Sequence, residues 1–330
     1  MNTGIPFNSI KRICKEYSCF IILIGLIIVA SILSPVFFSK QNIFNVFRQQ
    51  APIAMLALGV LIVIVTGGID LSTGAMLAVS NTVVAYFITF LHFDSMMGVW
   101  LAIVMGILVG TAIGCVNGAI VAYLKMPSFI VTLAITTMGR GVAYMITMGS
   151  PIRLPVKPDI NPGSERLFWF GQNGDPLIGM PFSAWVVILF VILFWFLMKY
   201  TTFGRLIVAT GSNTDASRLA GINVKKYMFS AYMICGALSG VAGVLITARA
   251  GIATPSAGTG FELTAIAAAV IGGASLSGGK GRVGNTIVGV FILALIGNIM
   301  NLLSIPVYPQ QIMQGAIIII AVLLNAGKQK

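Results

Sequence analysis

The chain has 330 residues, of which 58% are hydrophobic and 8% charged, with 20 Lys and Arg against 8 Asp and Glu. That balance excludes a soluble globular domain, in which roughly a quarter of residues are charged. The formal net charge of +12 carries no Arg/Lys clusters interleaved with aromatics, so it excludes a nucleic-acid partner and reads as a topology signal in a lipid bilayer.

About 30 Å of hydrocarbon needs roughly 20 helical residues. Apolar runs of that kind place ten spans near residues 18–36, 50–68, 72–91, 97–123, 128–148, 180–198, 227–248, 262–277, 284–303 and 309–326. The predicted organisation is a cytoplasmic segment 1–17, one transmembrane domain over 18–326 and a cytoplasmic tail 327–330. A loop at 149–179 lies outside and one at 199–226 inside. Lys11, Arg12, Lys15, Lys125, Lys199, Arg205, Arg218, Lys225, Lys226, Lys280, Arg282, Lys328 and Lys330 then share one side. Only Lys40, Arg48, Arg153, Lys157, Arg166 and Arg249 fall on the other. Positive charge gathers on the cytoplasmic side, so both termini are expected inside. The first run is too long for a secretory leader and lacks a small-residue cleavage site after it, so it is expected to be retained.

Gly67-Gly68-Ile69-Asp70-Leu71-Ser72 falls between the second and third spans. Paired glycines each weaken a helix by about 1 kcal/mol relative to Ala, so a break is expected there. Asp70 is the only acid between Glu16 and Asp94. An ionisable group near membrane depth is a functional candidate, and Asp70 with Ser72 either borders a transport path or caps the third helix. Asn117 in the fourth span, and Asn298 and Asn301 in the ninth, bring amides that bond between helices or face a path. Arg140, flanked by Gly139 and Gly141 in the fifth span, has three uses open to it: snorkelling outward, pairing with an acid, or meeting a polar solute. Phe168-Trp169-Phe170 in the outer loop either anchors a span or docks an external partner.

In the inner loop, Ser212 followed by Asp215 reads as a capping box, and Gly221 as the left-handed end of a short helix. About eight residues are too few to stay helical alone, so a partner is expected to hold them. Phe261-Glu262-Leu263-Thr264 echoes Asp70-Leu71-Ser72: acid, Leu, hydroxyl residue. Five spans to each half would put the two motifs on opposite faces as inverted repeats. Ile271 to Arg282 is glycine-rich but is not a phosphate loop. Ala274 stands where that motif needs Gly, and Gly281 follows Lys280 where it needs Ser or Thr. With a single His, His92, no metal-ligand spacing arises, and Cys14, Cys19, Cys115 and Cys235 give no disulfide framework. Neither catalytic nor metal-binding residues are therefore assigned.

Asp215-Ala216-Ser217 followed by Gly221 resembles the Glu-Ala-Ala-x-x-x-Gly loop by which ABC-importer permeases engage their ATPase subunits. Leu33-Ser34-Pro35-Val36-Phe37-Phe38, Gly68 to Ser72, Arg218 to Val224, Pro255 to Leu263 and Ala274 to Gly281 extend the likeness in one order. From about Ser34 onward the chain resembles the permeases of simple-sugar ABC importers, ribose permeases above all. It departs from their usual pattern at Phe261, where Tyr is common, and at Leu276-Ser277.

The resemblance implies an all-α polytopic membrane protein of about ten helices in a bacterial inner membrane. It implies no cofactor on this chain, with ATP and magnesium on a cytoplasmic ATPase. An external sugar-binding protein and a second permease copy would complete the assembly. Gly204, Arg205, Gly211, Asp215, Ala216, Arg218, Gly221 and Ile222 would form the ATPase-coupling loop. Asp70, Ser72, Asn117, Arg140, Glu262 and Asn298 are the candidate path residues. Two alternatives stay open, a branched-chain amino-acid-type permease and an ion-coupled secondary transporter with Asp70 and Glu262 as its acids.

Overall fold

The structure is a computed structural model that describes residues 18–157 and 159–326. The segments read as 1–17 and 327–330, with Cys14, lie outside the described residues. In chain order the helices are α1 (Ser18–Leu33), α2 (Lys40–Val65), α3 (Thr73–Phe90), α4 (Met96–Tyr123), α5 (Ser128–Thr147) and α6 (Pro162–Gln172). They continue with α7 (Phe182–Tyr200), α8 (Thr202–Ser212), α9 (Thr214–Leu219), α10 (Val224–Ala250), α11 (Phe261–Ile271), α12 (Val283–Leu302) and α13 (Val307–Ala326). Two-residue strands β1 (Ile152–Arg153) and β2 (Ile252–Ala253) pair antiparallel, Ile152 opposite Ala253. The chain is helical and polytopic, as its hydropathy demands. All ten apolar runs contain a helix. Among the described residues, α2, α3, α4, α5, α7, α10 and α12 are both long and apolar enough to cross a membrane.

Two boundaries differ from expectation for physical reasons. Helix α2 starts at Lys40, not near residue 50, because Ser39 caps it by accepting from Asn42 N at 3.2 Å. Its polar first turns escape a hydropathy window. Helix α11 has 11 residues, about 16 Å, roughly half a bilayer core. The segment 251–260, which begins with β2, leads into α11 through turns packed on α3.

In lipid no hydrophobic force pulls helices together, so close backbone packing has to hold them. Helix α10 is the centre of that packing. Gly110 and Gly114 of α4 face Gly236 and Gly240 of α10, and a Cβ on Gly110 would lie 2.6 Å from the Gly236 carbonyl oxygen. Residues four apart share a helix face, so Gly106, Gly110, Gly114 and Gly118 form one flat seam. On its other sides α10 sets Cys235 against Gly59 of α2 and Gly243 against Leu77 and Ser80 of α3. Two buried polar groups of α3 are paired with α10. Ser80 Oγ donates to Gly240 O at 2.9 Å, and Asn81 Nδ2 donates to Thr247 Oγ1 at 2.7 Å. By contrast, α5 and α7 leave Met145, Leu189 and Trp195 exposed.

The loop 149–179 is folded onto this core. Asn161 caps α6 by accepting from Ser164 N at 2.7 Å, and its Nδ2 donates to Asp94 Oδ1 at 2.8 Å. Phe170 stacks on Phe182 of α7 with ring centroids 5.1 Å apart, so at least this aromatic anchors a span. Asp175 accepts from the backbone N–H groups of Leu177, Ile178 and Met180 and from the Trp185 indole. Those donors, Ile178 first, hold its carboxyl below the usual carboxylate range.

Two outcomes are expected. Gly236→Leu should lower the detergent melting temperature by the equivalent of about 3 kcal/mol, because a side chain cannot fit against Gly110; unchanged melting would refute the seam. Because the folded pKa of Asp175 is depressed, its loop is most stable above the unfolded carboxylate value and loosens as pH falls through the folded one. Trp185 fluorescence, with the other tryptophans replaced by Phe, should show that acid transition and lose it in Asp175→Asn. A transition of equal size in both proteins would refute the assignment.

Candidate functional site

The segment 66–72 turns back into the bundle before α3 begins. Asp70 is completely buried and its Oδ1 accepts from Ser72 N at 2.9 Å and Ser72 Oγ at 2.6 Å. Asn117 Nδ2 donates to the same Ser72 Oγ at 2.8 Å. Asn117 precedes the end of α4 by six residues, so this knot lies about 9 Å inside the bundle on the side of the 199–226 loop. Asp70 fixes the turn ahead of α3 through Ser72, which precedes the helix and makes no side-chain cap of its own, and the group lies within the bundle and not at its surface.

The other re-entrant segment, 251–260, descends from the opposite side. Thr254 N donates to Asn81 Oδ1 at 3.0 Å, and Gly258 lies against Leu77. At its end Glu262 opens α11 and meets Gly74 at the start of α3, where a Cβ would overlap Glu262 Oε2. A carboxylate at two helix N-termini is favoured by both sets of unpaired N–H groups. Arg140 clamps this segment from α5, donating to Pro255 O at 3.0 Å and Ala257 O at 2.6 Å. Of the three uses left open for Arg140, the geometry selects none outright: it holds backbone carbonyls, with Glu262 the nearby opposite charge. Thus Asp70, Ser72 and Asn117 form one group and Arg140 and Glu262 another, joined at the N-terminus of α3.

Asn298 lies elsewhere. It exchanges hydrogen bonds with Asn42, Nδ2 to Oδ1 at 2.8 Å and 3.1 Å, joining α12 to α2. It also borders a cavity of about 500 Å³ between α2, α11, α12 and α13. Gln49, Gln50, Asn301, Gln310, Gln311 and Gln314 line the same space, with Phe261 and Ile53. A neighbouring cavity shares Gln49, Gln50, Ile53 and Phe261 and continues to Arg48, Gln172 and Arg249 on the outer-loop side. Sequence reading missed these glutamines. Their only signal is the pairs Gln49-Gln50 and Gln310-Gln311 at the polar edges of apolar runs.

At the other end of the bundle, the loop 199–226 holds two helices and not one. Ser212 does not cap the second: its Oγ donates back to Val208 O at 2.8 Å and closes α8. Asn213 caps α9, its side-chain oxygen accepting from Ala216 N at 2.9 Å. Asp215 pairs instead with Arg218 at 3.6 Å, both exposed. Gly221 has φ +78, the left-handed value expected of it, and Asn223 caps α10. Gly204 packs against Leu197 and Met198 of α7. Gly211 packs backbone-to-backbone on the Val65 carbonyl at the end of α2, which also accepts from Gly279 N at 2.9 Å. Arg205 and Ala216 are exposed and Ile222 is half-buried. Leu219 is 90% exposed at the tip, an apolar side chain left uncovered among the described residues.

The chain matches the model of the family described as branched-chain amino acid transport system / permease component over residues 42–322. It is 40% identical to the ribose import permease protein RbsC of Escherichia coli K12, over 97% of this chain and 96% of the relative. The Bacillus subtilis ribose import permease protein is also 40% identical, over 96% and 94%. The D-allose transport system permease protein AlsC of Escherichia coli is 34% identical, over 97% and 94%. No solved structure matches the chain.

Asn213→Ala should cost about 1 kcal/mol of local stability, read as faster amide exchange at 214–220 with the melting of the bundle unchanged. Equal exchange in both proteins would contradict the cap.

Proposed function

The chain belongs to the family of branched-chain amino acid transport system / permease components, and from that membership we propose that it passes ribose or a similar monosaccharide across the membrane. It is the permease subunit of a sugar importer of the ABC type. The end-to-end likeness to ribose import permeases carries the choice of sugar. The family description keeps a branched-chain amino-acid solute as the second reading. The partners are a cytoplasmic ATPase that binds ATP and magnesium, an external sugar-binding protein and a second permease copy. The setting is a bacterial inner membrane, with both termini cytoplasmic.

The ten helical segments are ten spans in two inverted sets of five, α1–α5 and α7 with α10–α13. Helices α3 and α11 are third in each set. Both begin inside the bundle and meet start to start at Gly74 and Glu262, as helices related by an axis in the membrane plane do.

The hairpin of α8 and α9 is the docking point for the ATPase. Leu219, Arg218 and Asp215 face the partner, while Gly211 fixes the hairpin to the end of α2. Closure of the ATPase on ATP displaces the hairpin, and α2 carries that displacement through the bundle. Residues 51–65 of α2 are buried throughout, so it moves as a packed rod, and its far half bears Gln49 and Gln50. This chain supplies no covalent chemistry; the work comes from differential binding of two conformations.

Leu219→Glu should abolish co-purification of the ATPase and ATP-driven ribose uptake by proteoliposomes, with insertion and melting as in wild type. Undiminished co-purification would place the docking point elsewhere.

A further inference from the structure

We propose that the amide-lined cavity between α2, α11, α12 and α13 is a transit site that holds a neutral monosaccharide inside the permease. The proposal rests on the sugar-import reading and adds the place and the chemistry. A pocket for an apolar solute is walled mainly by hydrophobic side chains with a few polar groups. Here Gln49, Gln50, Asn301, Gln310, Gln311 and Gln314 converge on about 500 Å³, within the roughly 300–1,000 Å³ of small-molecule sites. Each amide offers two donors and an acceptor, which matches hydroxyl groups that both donate and accept. Among the described residues no charged side chain lines this cavity, and the charges of the adjoining space, Arg48 and Arg249, offer nothing to the ammonium of a zwitterionic amino acid.

The fold uses only part of this polar surface. Gln310 Nε2 bonds Asn301 Oδ1 and Ile305 O, each at 2.8 Å, and Gln314 Nε2 bonds Thr264 Oγ1 at 2.5 Å. The side chains of Gln49, Gln50 and Gln311 make no hydrogen bond among the described residues, although each lines the cavity. They are the groups left to replace the solute's water. The Phe261 ring forms an apolar wall against which the C–H face of a sugar ring can lie. The adjoining cavity, sharing Gln49, Gln50 and Phe261, extends the space toward the outer loop and gives an entry route.

Because Gln49 and Gln311 stabilise no neighbour by hydrogen bonding, replacing them tests binding without unfolding the protein. In proteoliposomes holding the permease, its ATPase and the binding protein, the Gln49→Leu/Gln311→Leu pair should lower ribose uptake by roughly tenfold or more, the scale of one or two lost polar contacts. Retained ATPase co-purification verifies folding. With the native cysteines replaced by Ser, Gln311→Cys should react with a membrane-impermeant maleimide, and ribose should slow that reaction during turnover. Uptake equal to wild type, with labelling indifferent to ribose while ribose is transported, would overturn the site. Protection by leucine but not ribose would overturn the sugar assignment of the cavity. If wild type carries no ribose at all, the functional reading fails first, and the labelling experiment reports that separately.

Discussion

The carbonyl of Val65 is where three parts of the molecule meet. It ends α2, accepts from Gly279 N at 2.9 Å and lies directly against the backbone of Gly211. A side chain at position 211 would displace the α8–α9 hairpin from α2, and one at 279 would strain a turn whose φ is +73. The contact is therefore backbone on backbone, too short to absorb movement. Whatever shifts α8 and α9 must shift the end of α2 and the turn between α11 and α12.

What α2 does with that shift depends on the glycine seam. In a bilayer the apolar surface of a helix gains little by leaving lipid, so the bundle is held by close approach and by polar groups paired between helices. Glycines on α4 and α10 allow the approach, and Ser80, Asn81 and Thr247 supply the pairing. The two re-entrant segments are tolerable for the same reason. Irregular backbone at membrane depth survives only where protein satisfies it; here Asp70 accepts from Ser72 N, Ser128 from Ile69 N and Asn81 from Thr254 N, while Thr136 donates to Leu71 O and Arg140 to Pro255 O. Two acids lie at helix starts, Asp70 bonded to Ser72 ahead of α3 and Glu262 in the first turn of α11 beside Gly74, each with one carboxylate oxygen unpartnered among the described residues.

Much of this was legible in the sequence because hydropathy and glycine leave strong marks. The apolar runs located the helices, Gly67-Gly68 marked the break, and the left-handed Gly221 followed from its position. Other features were hidden by the same logic. The first turns of α2 are polar, so a hydropathy reading starts that span at residue 50 and leaves Gln49 out, while Gln50 and Gln311 fall at the ends of predicted spans, where hydropathy says nothing of which face they share. Ser212 looked like a cap because its type and spacing suit one; the choice of Asn213 was made by tertiary packing of α8 through Gly211. That Asp70 and Glu262 both serve the start of α3 depends on how far two loops turn inward, which no local pattern encodes. The regular spacing of Gly106, Gly110, Gly114 and Gly118 was a readable signal for the seam, but its partner helix was not.

The central claim is that α2 is a rigid link between the docking hairpin and the amide-lined cavity. Spin-label distances in the complete transporter test it most directly, measured without nucleotide and with ATP trapped. One label pair joins position 202, exposed at the start of α8, to 50, along the link; the other joins 50 and 311, across the cavity. The account expects the first distance to stay constant and the second to change. A changing first distance with a fixed second would contradict it, because the hairpin would then move without α2 and the cavity would not respond.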